Sequence, residues 1–451
     1  MILILIIALC IFLIASYRVF DRELCTPAVL YIGPFIVMSV VAFLFQWTWN
    51  MELQLNTMLV IVTGTLFFLA GAYIGQRIWL KRIGNNCRIE GGMRIDNWKY
   101  ILFFVISLVS FGWRYKLVVD YGRAHGAKTV SRALVYYNNM LKFTTNELLR
   151  TPRLVSIGNT IGTVAGFIWA CDFASQLLQK EKNTVKAALS FSNLVLCVIG
   201  SMSSGARGGA VQIICAFAVA FLILLYRKGE WKKLIPLKYL LRLSVVAMLT
   251  LIGFLGTVTL IGRYKVNAYG RYIANYLGAQ LYNLNYYINE DFRSSEIFGQ
   301  ETFHSIIQFL ARLGGISNYA RYNSDLPSVK IGDLSLGNVY TCYYSYLHDF
   351  GYTGVIILSF IFGLISIICY RHARKSPIEN PINLGLIIYS RISYCLLFSY
   401  FSNKFYSIIV SANFVKQTVY TIILLCFLYR FRIRVRFGRK RFIYVRTADQ
   451  E

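Results

Sequence analysis

The sequence predicts an all-α fold, a polytopic transmembrane helical bundle, on three observations. Hydrophobic residues make up 57% of the 451-residue chain, and the mean hydropathy is +0.53. Apolar runs of ~18 or more residues recur, the length a helix needs to cross ~30 Å of hydrocarbon. The formal net charge of +27 is carried largely by short loops and the C-terminal tail. There it acts as a topology signal, so a nucleic-acid-binding reading is rejected. A β-barrel would instead show short alternating strands.

Taken in order, eleven spans are expected at about 1–17, 26–47, 57–76, 100–118, 154–178, 185–203, 209–226, 243–262, 353–370, 384–400 and 405–429. Met1–Tyr17 has no basic flank or small-residue cleavage site and reads as a retained span. Lys and Arg set the orientation. The tail 430–451 opens with Arg430, Arg432, Arg434 and Arg436 directly after a span, which places it in the cytoplasm. Alternation then puts loops 77–99, 179–186, 227–242 and 371–383 on the same side, with six, three, six and three Lys/Arg, and leaves 48–56 outside with none. The organisation is therefore a bundle over 1–262 carrying an outer loop at 114–153, a long outer loop at 263–352, three further spans over 353–429, and the basic tail. No internal repeat is visible, which counts against transporters built from two repeated halves.

The outer loops carry helical patterning. Phe303, Ile306, Ile307 and Leu310 follow i, i+3, i+4, i+7, which predicts an amphipathic helix over 302–312 lying on the membrane surface. Residues 271–289 read as a Tyr-rich helix suited to an interface. Leu134, Tyr137 and Leu141 suggest another surface helix over 131–150. Ten cysteines scatter without a CxxC, so buried thiols are favoured over disulfides or zinc.

Four constellations could carry chemistry. The turn Ser201–Ala210 (SMSSGARGGA) places Arg207 just before a helix, where free amides and a guanidinium can grip a phosphate; the bland reading is an arginine snorkelling to headgroups. His348 and Asp349, in YLHDFGYTG, can supply a base at the membrane rim, or simply a polar interfacial pair. Arg263 and Arg271 fall near one side of a helix if that helix extends back, and can bind phosphate or lipid headgroups. Asp172, Arg391 and Lys416 lie inside spans, where mutual pairing is the favoured expectation and an ion path the sharper one. No DxD, Walker, GxGxxG, HExxH or GxSxG motif occurs, and only four His are present. A nucleotide-sugar metal site, an ATPase and a Rossmann cofactor are thereby disfavoured.

Three stretches resemble the O-antigen polymerases of the Wzy type: SSGARGGAVQIICAFAVAFLI (Ser203–Ile223), YIANYLGAQLYNLNYYI (Tyr272–Ile288) and GNVYTCYYSYLHDFGYTGVIILSFIFGLI (Gly337–Ile365). The third is the most similar, through its NVYT element, DFG and a span ending in FGLI. The resemblance covers most of the chain in architecture but only these patches in residues.

The resemblance implies a multi-pass protein of the bacterial inner membrane with a metal-independent membrane glycosyltransferase fold related to that of the O-antigen ligases. Such a protein joins oligosaccharide repeat units carried on undecaprenyl pyrophosphate, on the periplasmic face, for lipopolysaccharide or a related surface polymer. Its implied companions are a polysaccharide co-polymerase that regulates chain length and a flippase, and it needs no cofactor. Arg207, helped by Arg263 and Arg271, would hold the leaving pyrophosphate. Asp349, which matches the family's DFG element, or His348, which does not clearly belong to it, would serve as base. Tyr272, Tyr340 and Tyr352 would offer ring faces to sugars. The competing readings are the O-antigen ligase, a lipid-linked sugar flippase or transporter, and a structural or sensory membrane protein.

Overall fold

The structure is a computed structural model. It describes residues 1–82, 95–143, 151–179, 183–229, 269–314, 326–332, 334–375, 383–434 and 444–447, with isolated positions between 231 and 253. Among these, nine helices are long and apolar enough to cross a membrane. The chain is an all-α polytopic membrane protein.

The first seven spans run as α1 (Ile2–Val19), α2 (Pro27–Phe45), α3 (Leu55–Arg82), α4 (Asn97–Ala124), α6 (Arg153–Leu178), α7 (Thr184–Ser201) and α8 (Gly208–Lys228), with α5 (Val130–Phe143) between α4 and α6. α4 continues past its expected end at 118. The expected span 243–262 lies outside the described residues. After it come α9 (Tyr269–Leu277), α10 (Ala279–Glu290), α11 (His304–Arg312), α12 (Cys342–Arg374), α13 (Leu384–Leu397), α14 (Lys404–Ile409) and α15 (Ala412–Arg430). Two short antiparallel hairpins depart from the all-helical expectation: β1 (Val329–Ile331) with β2 (Leu334–Gly337), and β3 (Phe431–Arg434) with β4 (Tyr444–Thr447).

Three expected elements differ for identifiable reasons. The last span is divided into α14 and α15. Val410 leaves helical geometry, Ser411 donates to the Ile408 carbonyl (2.6 Å), and Ser411 Oγ caps the amide of Phe414 (3.1 Å). A serine cap of this kind is invisible to a hydropathy window. The Tyr-rich segment breaks at Gly278, where a Cβ would lie 2.8 Å from Val41 Cγ1 and 3.0 Å from the Ala42 nitrogen. In α11 the buried stripe is Ile307 and Ala311 against Phe303, Ile297 and Ile306, while Leu310 points outward.

The chain divides into two compact units. Unit 1 comprises Met1–Asn86, Tyr264–His372 and Arg391–Phe414; unit 2 comprises Cys87–Arg263, Ala373–Ser390 and Val415–Glu451.

Unit 1 is built on an aromatic core. Tyr31 of α2 stacks on Phe68 of α3 (4.0 Å between centroids), and both meet Phe362 of α12 edge-on. The Tyr31 hydroxyl donates to Tyr343 (2.8 Å), whose oxygen lies 3.3 Å from Thr65 Oγ1. α3 and α12 approach closely through glycine. A Cβ on Gly71 would strike the Phe360 carbonyl, and one on Gly363 would strike the Phe68 carbonyl. Such small-residue contacts let helices in lipid gain dispersion energy, because lipid supplies no hydrophobic drive between them. The opposite faces stay apolar and exposed, as Ile4, Ile7, Ile11 and Ile14 of α1 illustrate.

Unit 2 is organised on α6, which packs against α4, α7 and α8. Asp172 is buried there and takes hydrogen bonds from Tyr100 (2.9 Å) and Gln176 (3.5 Å) rather than from a cation. Two further in-span charges sit over aromatic rings. Arg391 lies over the Phe414 ring at 4.2 Å, and Lys416 over Tyr420 at 5.9 Å. In both units the cysteines Cys25, Cys171, Cys197, Cys342 and Cys395 are buried and not in disulfides, as packing thiols should be.

Gly71→Leu is expected to lower the melting temperature of the detergent-solubilised protein, by the roughly 1–3 kcal/mol that overpacking costs. Gly112→Leu, at a position with nothing within 4 Å, serves as the control. Equal melting of the two variants would contradict the close α3–α12 contact.

Candidate functional site

In unit 1 the candidate chemistry gathers where α12 breaks. Gly351 has φ 62 and ψ −156, outside helical geometry, so Cys342–Phe350 is a separate helical segment from the apolar helix that follows. That conformation is open to glycine and strained for other residues. Residues 342–347 are buried, and His348 and Asp349 emerge half-buried in the last turn.

The His348 ring is fixed by its neighbours. Nδ1 lies 2.8 Å from the carbonyl oxygen of Arg293. A carbonyl only accepts, so Nδ1 carries the proton, and in the neutral ring the lone pair resides on Nε2. The Tyr287 hydroxyl donates to the same carbonyl (2.6 Å) and lies 3.2 Å from Nδ1. The amide of Ser295 returns a bond to the His348 carbonyl (2.7 Å). The imidazole stacks on Tyr344 at 5.5 Å and 9°. Tyr344 in turn contacts Tyr340 (4.6 Å) and Tyr287 (4.5 Å), forming a continuous aromatic wall. Burial, and then nearby carboxylates, push the phenols of Tyr287 and Tyr340 above their usual range, so both remain donors at neutral pH.

Asp349 has a different task. Its Oδ2 accepts the amide of Thr302 (2.6 Å), and both oxygens accept the amide of Glu301 (3.1 and 3.2 Å). Thr302 Oγ1 donates to the Ser345 carbonyl (3.0 Å), and Asn403 Nδ2 donates to the Thr302 carbonyl (3.1 Å). The carboxylate thus buckles the 299–302 turn to α12, and its oxygens face backbone amides.

The remaining expected residues are dispersed. Arg271 is exposed in α9, and Tyr272 is half-buried beside Tyr276 (4.8 Å). Tyr340 is buried and donates to the Pro327 carbonyl (2.9 Å), so it belongs to the wall behind His348. Tyr352 is 55% exposed just beyond Gly351. Arg263 lies outside the described residues.

Arg207 belongs to unit 2. It is the N-cap of α8 and only 8% exposed, deeper than a rim arginine reaching for headgroups. The turn before it is tight: Ser203 N bonds the Gly200 carbonyl (3.1 Å), Gly205 N bonds the Met202 carbonyl (2.9 Å), and Gly205 takes φ +76. A Cβ on Gly205 would lie 2.8 Å from the carbonyl oxygen of Leu134 in α5.

No family model, no curated protein and no solved structure matches this chain. Function therefore has to be argued from the side chains. Among the described residues no group of three or more His, Cys, Asp or Glu could hold a metal ion. Sequence reasoning missed Tyr287 and the Arg293 carbonyl, because their relation to His348 is formed across some sixty residues of chain. The spacing of Tyr340, Tyr344 and His348 at i, i+4, i+8 was the one local signal.

Asp349→Asn replaces one acceptor oxygen with a donor that faces the Glu301 and Thr302 amides. It is expected to speed hydrogen exchange at those two amides and to cost about 1–3 kcal/mol of stability. Unchanged protection there would remove the buckle from the description.

Proposed function

We propose that this protein is a polysaccharide polymerase, a glycosyltransferase that joins oligosaccharide repeat units carried on undecaprenyl pyrophosphate into O-antigen or a related surface polymer. What supports the reading most is the His348 arrangement, a tautomer locked through Nδ1 with Nε2 left as acceptor beside a wall of tyrosines. That is the geometry of a general base held in place by a buried aromatic wall. In this scheme Nε2 takes the proton of an acceptor sugar hydroxyl as its oxygen forms a bond to the anomeric carbon of the donor. The bond from that carbon to the lipid pyrophosphate breaks, and the pyrophosphate leaves with the electron pair. Asp349 is a positioning residue that fixes the turn carrying His348.

Within unit 2, Arg207 at the α8 N-terminus is the proposed holder of a phosphate group. Arg207 stands where first-turn amides and the helix dipole already favour an anion. Arg271, with Arg263, helps hold phosphate, and Tyr272 and Tyr352 offer further ring contacts. The orientation from Lys and Arg puts the basic tail in the cytoplasm and the His348 end on the periplasmic face of the inner membrane, with eleven spans in all. A chain-length regulator of the co-polymerase type and a flippase are the proposed companions.

The test is polymer formation from purified lipid-linked repeat units by the reconstituted protein. His348→Ala should reduce the rate by the 10²- to 10⁴-fold, roughly, that general-base catalysis contributes. Asp349→Asn should be far milder. Full activity in His348→Ala would sink the base assignment. Transfer to a lipid A core without chain growth would favour the ligase.

A further inference from the structure

In unit 2, Arg114 of α4 lies within electrostatic reach of Tyr137 in α5, the helix whose Leu134 carbonyl rests against Gly205 of the turn before Arg207. Ser107, Phe111 and Arg114 follow one face of α4. Ser107 lies against Cys197 of α7, and the Phe111 ring fills the space that a Cβ on Gly200 would need. α4 and α7 therefore advance side by side in register. Continued by one step, that register leads from Phe111 to Arg114 on α4 and from Gly200 towards Ser203, in the turn before Arg207. From α5, the Leu134 carbonyl rests on Gly205, and Tyr137, one turn further on, is within electrostatic reach of Arg114.

Two groups in this corner lack what burial demands. Arg114 Nε is buried without a hydrogen-bond partner among the described residues. The same holds for Ser203 Oγ, in a residue only 8% exposed. Native chains pair nearly all such groups, so an unpaired one calls for an explanation such as a bound water or ion. The first amides of α8 lack intrahelical partners by construction, and Gly208 has nothing within 4 Å of its Cβ position, so space adjoins them.

We infer that Arg114 and Ser203 complete, with Arg207 and the first turn of α8, a cradle for the pyrophosphate of the donor lipid. The identity of the ligand rests on the function proposed above; the requirement for a phosphate-type anion follows from the donors alone. Arg114 supplies a fork of N–H groups, Ser203 a hydroxyl, and α8 its amides, all donors suited to phosphate oxygens.

The experiment is a calorimetric titration of inorganic pyrophosphate into the full-length protein in neutral phosphatidylcholine nanodiscs. Wild-type protein should bind saturably. R114Q should weaken binding by about tenfold or more, R114K should recover part of the loss because it keeps charge without the fork, and S203A should cost roughly three- to tenfold. Absence of binding by the wild type, or wild-type affinity in R114Q and S203A, overturns the inference. If R114Q fails to fold, S203A decides alone, since losing one hydroxyl leaves the packing intact. A parallel series in phosphatidylglycerol nanodiscs identifies the source of phosphate. Loss of lipid retention in R114Q with undiminished pyrophosphate affinity would make Arg114 a headgroup anchor and overturn the cradle. Polymer formation is scored separately. A protein that binds pyrophosphate through Arg114 yet makes no polymer keeps the cradle and loses the polymerase reading. One that polymerises with unaltered affinity in R114Q and S203A keeps the polymerase reading and loses the cradle.

Discussion

The His348 end of unit 1 depends on the backbone break at Gly351. In hydrocarbon, a backbone group released from a helix has to find a partner within the protein. The break leaves the His348 carbonyl without its helical successor, and the amide of Ser295 meets it at 2.7 Å. That bond draws the chain after α10 onto the last turn of the Cys342–Phe350 segment. Once there, the Arg293 carbonyl fixes the imidazole, and the amides of Glu301 and Thr302 close on Asp349. Gly354 continues the same logic, since a Cβ there would lie 2.6 Å from Phe350 Cβ. A single glycine conformation thus sets the ring orientation of His348, the task of Asp349 and the course of the loop between them.

Electrostatics gives the two units different characters. In unit 1 the His348 ring is held by the Arg293 carbonyl and the Tyr287 hydroxyl, with the Asp349 carboxylate beside it, and burial raises the tyrosine phenols. The Nδ1 proton is directed at the Arg293 carbonyl. In unit 2 the notable groups are cations placed at a helix N-terminus and on α4, close to unfilled donors.

Much of the bundle was legible in the sequence because crossing hydrocarbon imposes one local requirement, a sustained apolar run, and α1–α3, α4 and α6–α8 obey it. The pieces that escaped are those decided by single side chains or by distant partners. Ser411 divides the last expected span by capping, and Gly351 breaks α12 where hydropathy reads a loop end. Leu310 fits the periodicity of α11 but faces outward, because Ala311 is small enough to pack inward in its place. For the candidate site, Arg207, His348 and Asp349 could be singled out from residue type and position. Which of the last two has an accessible lone pair could not, since it depends on hydrogen bonds to 293 and 301–302. Arg114 was unreadable for the same reason: within α4 it is one more arginine near a helix end.

The central claim is that a lipid pyrophosphate is displaced by a sugar hydroxyl. The most direct measurement follows purified protein and a lipid-linked repeat unit in the same vesicles, counting new glycosidic linkages against free lipid pyrophosphate. One pyrophosphate released for each linkage formed, with chains growing as a ladder, is the predicted result. Release without chain growth, or neither release nor growth, would contradict it.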